Sequence, residues 1–161
     1  MKHFLILSVL YMMLPLSLFA QSYDDLWKRV DAAGSKDLPK TQIDLLTKIA
    51  KKAQREKAYG QLLAADLLAS SLQTQISPDS MDVEVERLKA KAQEAERKDE
   101  VLAAIYNCIL GRIEQGKEKG NSAEYFKKAL SNPSLLARQK AANYTPLVKI
   151  GKDDNTNKDK S

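Results

Sequence analysis

Val101-Leu102-Ala103-Ala104-Ile105-Tyr106-Asn107-Cys108-Ile109-Leu110-Gly111-Arg112-Ile113 places its large apolar side chains at 101, 102, 105, 106, 109, 110 and 113. Pairs recurring every four residues share one face of an α-helix, whereas a strand would alternate at every second position. The stretch therefore predicts a helix starting near Asp99. It is the most apolar helix of the chain and is expected at the centre of a helical bundle.

The same period extends in both directions. On the N-terminal side, Val85, Leu88, Ala92 and Ala95 mark the inner face of a helix from about Met81 to Arg97. Its outer face is dense in charge, with Glu94 and Lys98 at i,i+4 pairing distance. Ser77-Pro78-Asp79-Ser80 is a turn ending in a capping residue. Before it, Leu62, Leu63, Leu67, Leu68 and Leu72 run along a helix that starts near Tyr59-Gly60 and ends about Gln75. Pro39 opens another helix, at a first-turn position whose amide has no intrahelical partner in any case. Ile43, Leu46, Ile49, Ala50 and Ala53 form its buried stripe. The first helix follows Ser22-Tyr23-Asp24-Asp25, a capping-box pattern in which the Ser hydroxyl accepts from a first-turn amide and Asp25 reaches back. Tyr23, Leu26, Trp27 and Val30 share its inner face, and Gly34 and Ser35 end it.

On the C-terminal side, Gly116 to Asn121 reads as a polar linker. Ser122 caps a short helix carrying Ala123, Phe126, Ala129 and Leu130 on one side. Asn132-Pro133 stops it, Ser134 to Ala142 forms one more short helix, and Tyr144 to Val148 is expected to be extended or irregular. From Gly151 to Ser161 the chain is polar without an apolar anchor, the composition of a disordered tail. Helix, short turn and helix in succession predict an all-α, antiparallel helix-turn-helix array, a tetratricopeptide-like helical bundle. Ala123-Glu124-Tyr125-Phe126-Lys127-Lys128-Ala129-Leu130 followed by Pro133 resembles the second helix of a tetratricopeptide repeat.

Lys2 and His3, the apolar run Phe4 to Leu14, Pro15 and the small residue Ala20 have the layout of a secretory signal peptide. The run falls short of the roughly 20 apolar residues that span a bilayer. The expected organisation is a signal peptide at 1–20, a helical domain at 21–150 and a polar tail at 151–161. The expected location is the periplasm or cell envelope, with membrane contact only through an uncleaved signal peptide. The formal charge of +5 drops to +4 when Lys2 leaves. The basic residues are mixed with acids along the helices, whereas a nucleic-acid binder clusters them on one face, so no nucleic-acid partner is expected.

The inventory of reactive groups is sparse. His3 is the only histidine and leaves with the signal peptide, which removes imidazole-based catalysis and the usual zinc sites. Cys108 is the only cysteine and is expected to be a small buried hydrophobe beside Ile105 and Ile109. Asp24, Asp25, Glu84, Glu86, Glu94, Glu96, Asp99 and Glu100 read as solvated helix faces rather than a split acid/base pair. Gly116-Lys117-Glu118-Lys119-Gly120 lacks the strand and spacing of a phosphate loop. Asp153-Asp154-Asn155-Thr156-Asn157 lacks the glycine and distal Glu of a calcium loop. The expectation is a non-enzyme without a cofactor or metal. Trp27 and Tyr106 are expected in the core. Tyr144, Pro146 and Leu147 are the candidate partner-docking residues, with packing of Tyr144 back on its own bundle the alternative.

The residues Ser22-Tyr23-Asp24-Asp25-Leu26-Trp27-Lys28 and Lys36-Asp37-Leu38-Pro39-Lys40-Thr41 resemble the start of the mature alpha-2-macroglobulin-like proteins of Bacteroidetes-type bacteria. Lys128 to Pro133, Leu135-Leu136-Ala137, Tyr144 to Val148 and Gly151-Lys152-Asp153 resemble the junction from their helical N-terminal region into their sandwich domains. The resemblance covers essentially the whole chain after the signal peptide. It implies a scaffold module that packs against protein, either its own downstream domains or another envelope protein. The family's macroglobulin-like domains, bait region and thioester have no counterpart in this sequence, and Cys108 with Glu114-Gln115 lacks the thioester spacing. Protease trapping is therefore not implied. A free-standing periplasmic adaptor that binds a peptide in a concave helical surface is the alternative.

Overall fold

A computed structural model describes residues 21–147. The proposed signal peptide, His3, Val148 and the polar tail lie outside the described residues. Seven α-helices and two 3-10 turns follow one another, with no strand among the described residues. The helices are α1 (Tyr23–Gly34), α2 (Pro39–Glu56), α3 (Tyr59–Ile76), α4 (Met81–Glu96), α5 (Glu100–Gln115), α6 (Ser122–Ala129) and α7 (Pro133–Ala137). The 3-10 turns are Pro78–Ser80 and Ala141–Tyr144. The chain is thus the all-α helix-turn-helix array that its periodicity predicts.

The boundaries follow from local chemistry. Ser22 Oγ accepts from the Asp25 amide at 3.1 Å, and its hydroxyl donates to the Asp25 carboxylate at 2.7 Å, closing the first turn of α1. Asp99 accepts from the Val101 and Leu102 amides, both at 3.1 Å, and so caps α5. Two expected caps differ. Asn121, not Ser122, occupies the cap position of α6. Ser80 turns its hydroxyl back to the Ser77 carbonyl at 2.6 Å, which tightens the corner instead of capping α4. At the end of α2, Lys57 takes a left-handed conformation (φ 53°), and the Ala58 amide reaches back to the Ala53 carbonyl at 2.9 Å. This closes the helix as a Schellman motif.

Two apolar clusters hold the array. Leu26, Val30 and Ala33 of α1 meet Leu45, Leu46 and Ile49 of α2 and Ala65 of α3. Leu63 of α3 joins Val85, Leu88, Ala92 and Ala95 of α4 with Ala103, Tyr106 and Leu110 of α5. Helix α3 belongs to both. Gly60, Leu62, Leu63, Ala64, Ala65 and Asp66 are all buried, so most of its first half is enclosed. A helix that is apolar all round is a buried helix. The small residues Gly60, Ala64 and Ala65 let neighbours approach closely. A methyl group on Gly60 would overlap the Asn143 carbonyl oxygen, because the C-terminal 3-10 turn lies against the start of α3.

Helix α5, expected at the centre, organises only the C-terminal half, with α4 on one flank and α6 on the other. Phe126 of α6 seats on Gly111, where a methyl would meet its ring at 2.6 Å. Ile105 and Ile109 are half-exposed, and Cys108 is exposed, against the expectation that it is buried beside them. Cys108 is two residues from both Tyr106 and Leu110, which centre the buried face. Each step is about 100° of helix, so two steps carry the side chain about 200° away from them. Residues 144–147, expected to be irregular, continue the 3-10 turn as a helical turn. Tyr144 and Leu147, three apart, thereby share one face against the α4–α5 core.

Candidate functional site

Helices α2 and α3 pair closely, as do α4 and α5, but α3 and α4 meet mainly at their shared corner. Helix α2 and helix α4 therefore stand as two walls over α3, with a groove of about 350 Å³ between them. Ile43, Thr47, Ala50 and Gln54 line the α2 wall at spacings of one helical turn. Ile43 and Ala50 belong to the apolar stripe read from the sequence, and the polar Thr47 and Gln54 border it. Leu45, Leu46, Ile49 and Ala53 are buried, while Ile43 and Ala50 are only half-buried and face the groove. Ala65, Asp66, Ala69 and Ser70 form the floor, and Glu84, Arg87 and Lys91 form the α4 wall. A smaller hollow of about 140 Å³ shares Gln54, Leu62 and Lys91 with the groove and continues it towards Asp99 and Tyr106.

Asp66 decides the electrostatics. It is 5% exposed, and it is the one charged residue of α3. A lone buried carboxylate is costly unless paired and hydrogen-bonded. Lys91 Nζ donates to Asp66 Oδ2 at 2.5 Å, the Tyr106 hydroxyl donates to the same oxygen at 2.7 Å, and Arg87 Nη1 lies 3.7 Å from Oδ1. Arg87 also donates from Nε to Glu84 at 2.8 Å and from Nη2 to Ser70 Oγ at 2.5 Å. Ser70 in turn donates to Glu84 Oε2 at 2.6 Å. No buried side-chain nitrogen or oxygen lacks a partner among the described residues. The network thus ties α3 to α4 and α5 where apolar contact between α3 and α4 is thin.

Titration reflects this packing. Burial, reinforced by the charge and hydrogen bond of Asp66, raises the Tyr106 hydroxyl well above its usual range and keeps it a donor. For Glu84, burial pushes upward, but the Ser70 hydroxyl and Arg87 outweigh it and hold the carboxyl below its usual value. With Asp66 and Glu84 both engaged by partners, the groove offers cations and apolar surface rather than a free base.

The residues singled out in the sequence are distributed as follows. Tyr144, Pro146 and Leu147 are half-buried, and Tyr144 and Leu147 pack on the chain's own core. Nearby, the Tyr59 hydroxyl donates to the Asp99 carboxylate, so one acid caps α5 and holds the start of α3. Tyr106 is buried, as expected, and its ring completes the core under Asp66. Trp27 is half-buried against the first cluster, and its indole Nε1 donates to Gln61 at 2.6 Å. Of the acids read as solvated, Glu84 and Asp99 are half-buried, while Asp24, Asp25, Glu86, Glu94, Glu96 and Glu100 are exposed. No group of three or more His, Cys, Asp or Glu is placed to hold a metal ion among the described residues. Asp66, Ser70, Arg87 and Lys91 were not singled out. The available signal was a single acid inside Leu62-Leu63-Ala64-Ala65-Asp66-Leu67-Leu68, facing basic residues one turn apart on the next helix.

Compared with known proteins, the chain matches no protein-family model, no curated protein and no solved structure.

Proposed function

We propose that this chain is a non-catalytic, exported interaction module of the cell envelope whose α2–α3–α4 groove receives a segment of another protein. The observation that carries the reading is the groove itself. Two helices stand apart over a third, one wall carries the apolar side chains Ile43 and Ala50, and the other is an ordered ionic network tied to the floor. Concave, partly apolar clefts with a few fixed polar groups are the usual form of binding sites. A pre-organised wall also lowers the ordering cost of association. The resemblance to the helical N-terminal region of bacterial alpha-2-macroglobulin-like proteins supports the same class of role, with the partner a domain of such a protein or another envelope protein.

The test is binding of the full chain to an array of random 12-residue peptides, compared with a Thr47→Trp variant. Thr47 is exposed and lines the groove, so an indole there fills the cleft without entering the core. A set of peptides bound by the parent chain and lost in the variant is the expected result. Peptides bound equally by both would move the binding surface elsewhere, and no bound peptide would refute the reading.

A further inference from the structure

We infer that the segment taken by this groove is acidic and amphipathic, with its carboxylates against Lys51 and Lys91 and its apolar side chains against Ile43 and Ala50. This rests on the groove being the binding surface. The charges are layered. The Asp66 side chain at the floor and the Glu84 side chain on the α4 wall are 7% and 14% exposed, while those of Arg87 and Lys91 on the same wall are each 32% exposed. Lys51, on the α2 rim, is exposed and makes no ion pair among the described residues. The acids therefore face inward and serve as the anchors of the cations, and what an incoming segment meets is positive on both rims.

The donors are not exhausted. An ammonium has three N–H groups. Lys91 gives one to Asp66, and it lines both the groove and the adjoining hollow. Arg87 donates to Glu84 and Ser70 and lies beside Asp66, three contacts that fix its orientation on the wall. Across from these cations, Ile43 and Ala50 are half-buried and uncharged, and the floor residue Ala69 is small enough to admit a side chain. One face acidic and one face apolar is the complement of that surface. Ile43 and Ala50 lie between the two helices, where an inserted side chain reaches them and a flat membrane surface does not, which favours a protein segment.

The experiment is the same peptide array read with the full chain and with Lys51→Glu, a surface change that leaves the core untouched. Peptides bound by the parent chain are expected to be enriched in Asp and Glu next to apolar residues. Their binding should weaken about tenfold as ionic strength rises from about 0.05 to about 0.5 M, because screening shortens over that range. Lys51→Glu should weaken acidic binders by about fivefold, the scale of one rim ion pair, and leave neutral binders unchanged. Bound peptides without acidic enrichment, or an acidic preference unchanged in Lys51→Glu, would overturn this inference while the groove reading stands. Absence of any bound peptide would overturn both. Binding to phosphatidylglycerol vesicles in place of peptides would assign the cations to a membrane surface and overturn the inference as well.

Discussion

Asp66 shows how one residue shapes this molecule. It stands in an apolar helix where Asn or Ala would fit by volume, yet it takes a lysine, an arginine and a tyrosine hydroxyl as partners. Removing its charge would take the ion-pair partner from Lys91 and leave Arg87 with Glu84. Asp66→Asn is expected to destabilise the fold by about 1–3 kcal/mol, the range for a buried hydrogen-bonding group left without its partner. That figure lies below the loss for a fully buried pair because both cations are one-third exposed. Urea unfolding followed by circular dichroism measures it, and an unchanged midpoint would show that the network contributes nothing to stability. Cys108 makes the opposite point. Ile105 and Ile109 stand near it in sequence, but side-chain direction, not neighbourhood, sets burial, and the helical angle turns it to solvent.

At the scale of elements, most starts and stops were legible in the sequence because they depend on local chemistry. Pro39 at the first turn, the Ser22–Asp25 box and the Asp99 cap all satisfy or avoid orphan amides within a few residues. What was not legible was how a face divides between neighbours. The apolar stripe of α2 is wide enough for a core and a groove wall, and only its two partners decide which side serves which. The end of α2 also holds a testable strain. Lys57 adopts a left-handed conformation that a Cβ disfavours, in the position where glycine is usual. Lys57→Gly is expected to stabilise the protein by up to about 1 kcal/mol, the lower end of the left-handed penalty for an L-residue. Thermal unfolding checks the sign: a loss of stability would mean that the Lys57 side chain contributes more than its backbone costs.

For the whole molecule, acid is the condition that separates its parts. The Glu84 carboxyl sits below its usual value and joins α4 to Ser70 of α3. Glu56, lowered by hydrogen bonds from Lys52 and Tyr23, joins α2 to α1. A carboxyl depressed in the folded state adds stability that is full above its unfolded value of about 4.5 and is lost as pH falls through the folded value. Unfolding free energy is therefore expected to hold between pH 6 and pH 5 and to decline below about pH 4.5, the unperturbed carboxylate range. Glu84→Gln should flatten part of that decline. A Glu84→Gln profile parallel to the parent's would assign the acid sensitivity to other carboxyls. Loss of the α3–α4 tie would also widen the groove, so binding and stability should fall over the same pH window.

The helical class, the order of the helices and most of their limits follow from the sequence alone, because a 3.6-residue period and capping chemistry act over distances of a few residues. The enclosure of α3, the exposure of Cys108, the return of Tyr144 and Leu147 to the core and the meeting of Asp66 with Arg87, Lys91 and Tyr106 belong to the tertiary structure. Each depends on which helix faces lie together across 20 or more residues of chain. A pattern along one helix cannot state that, since a half-apolar face fits a core, a groove or a partner equally well until its neighbours are in place.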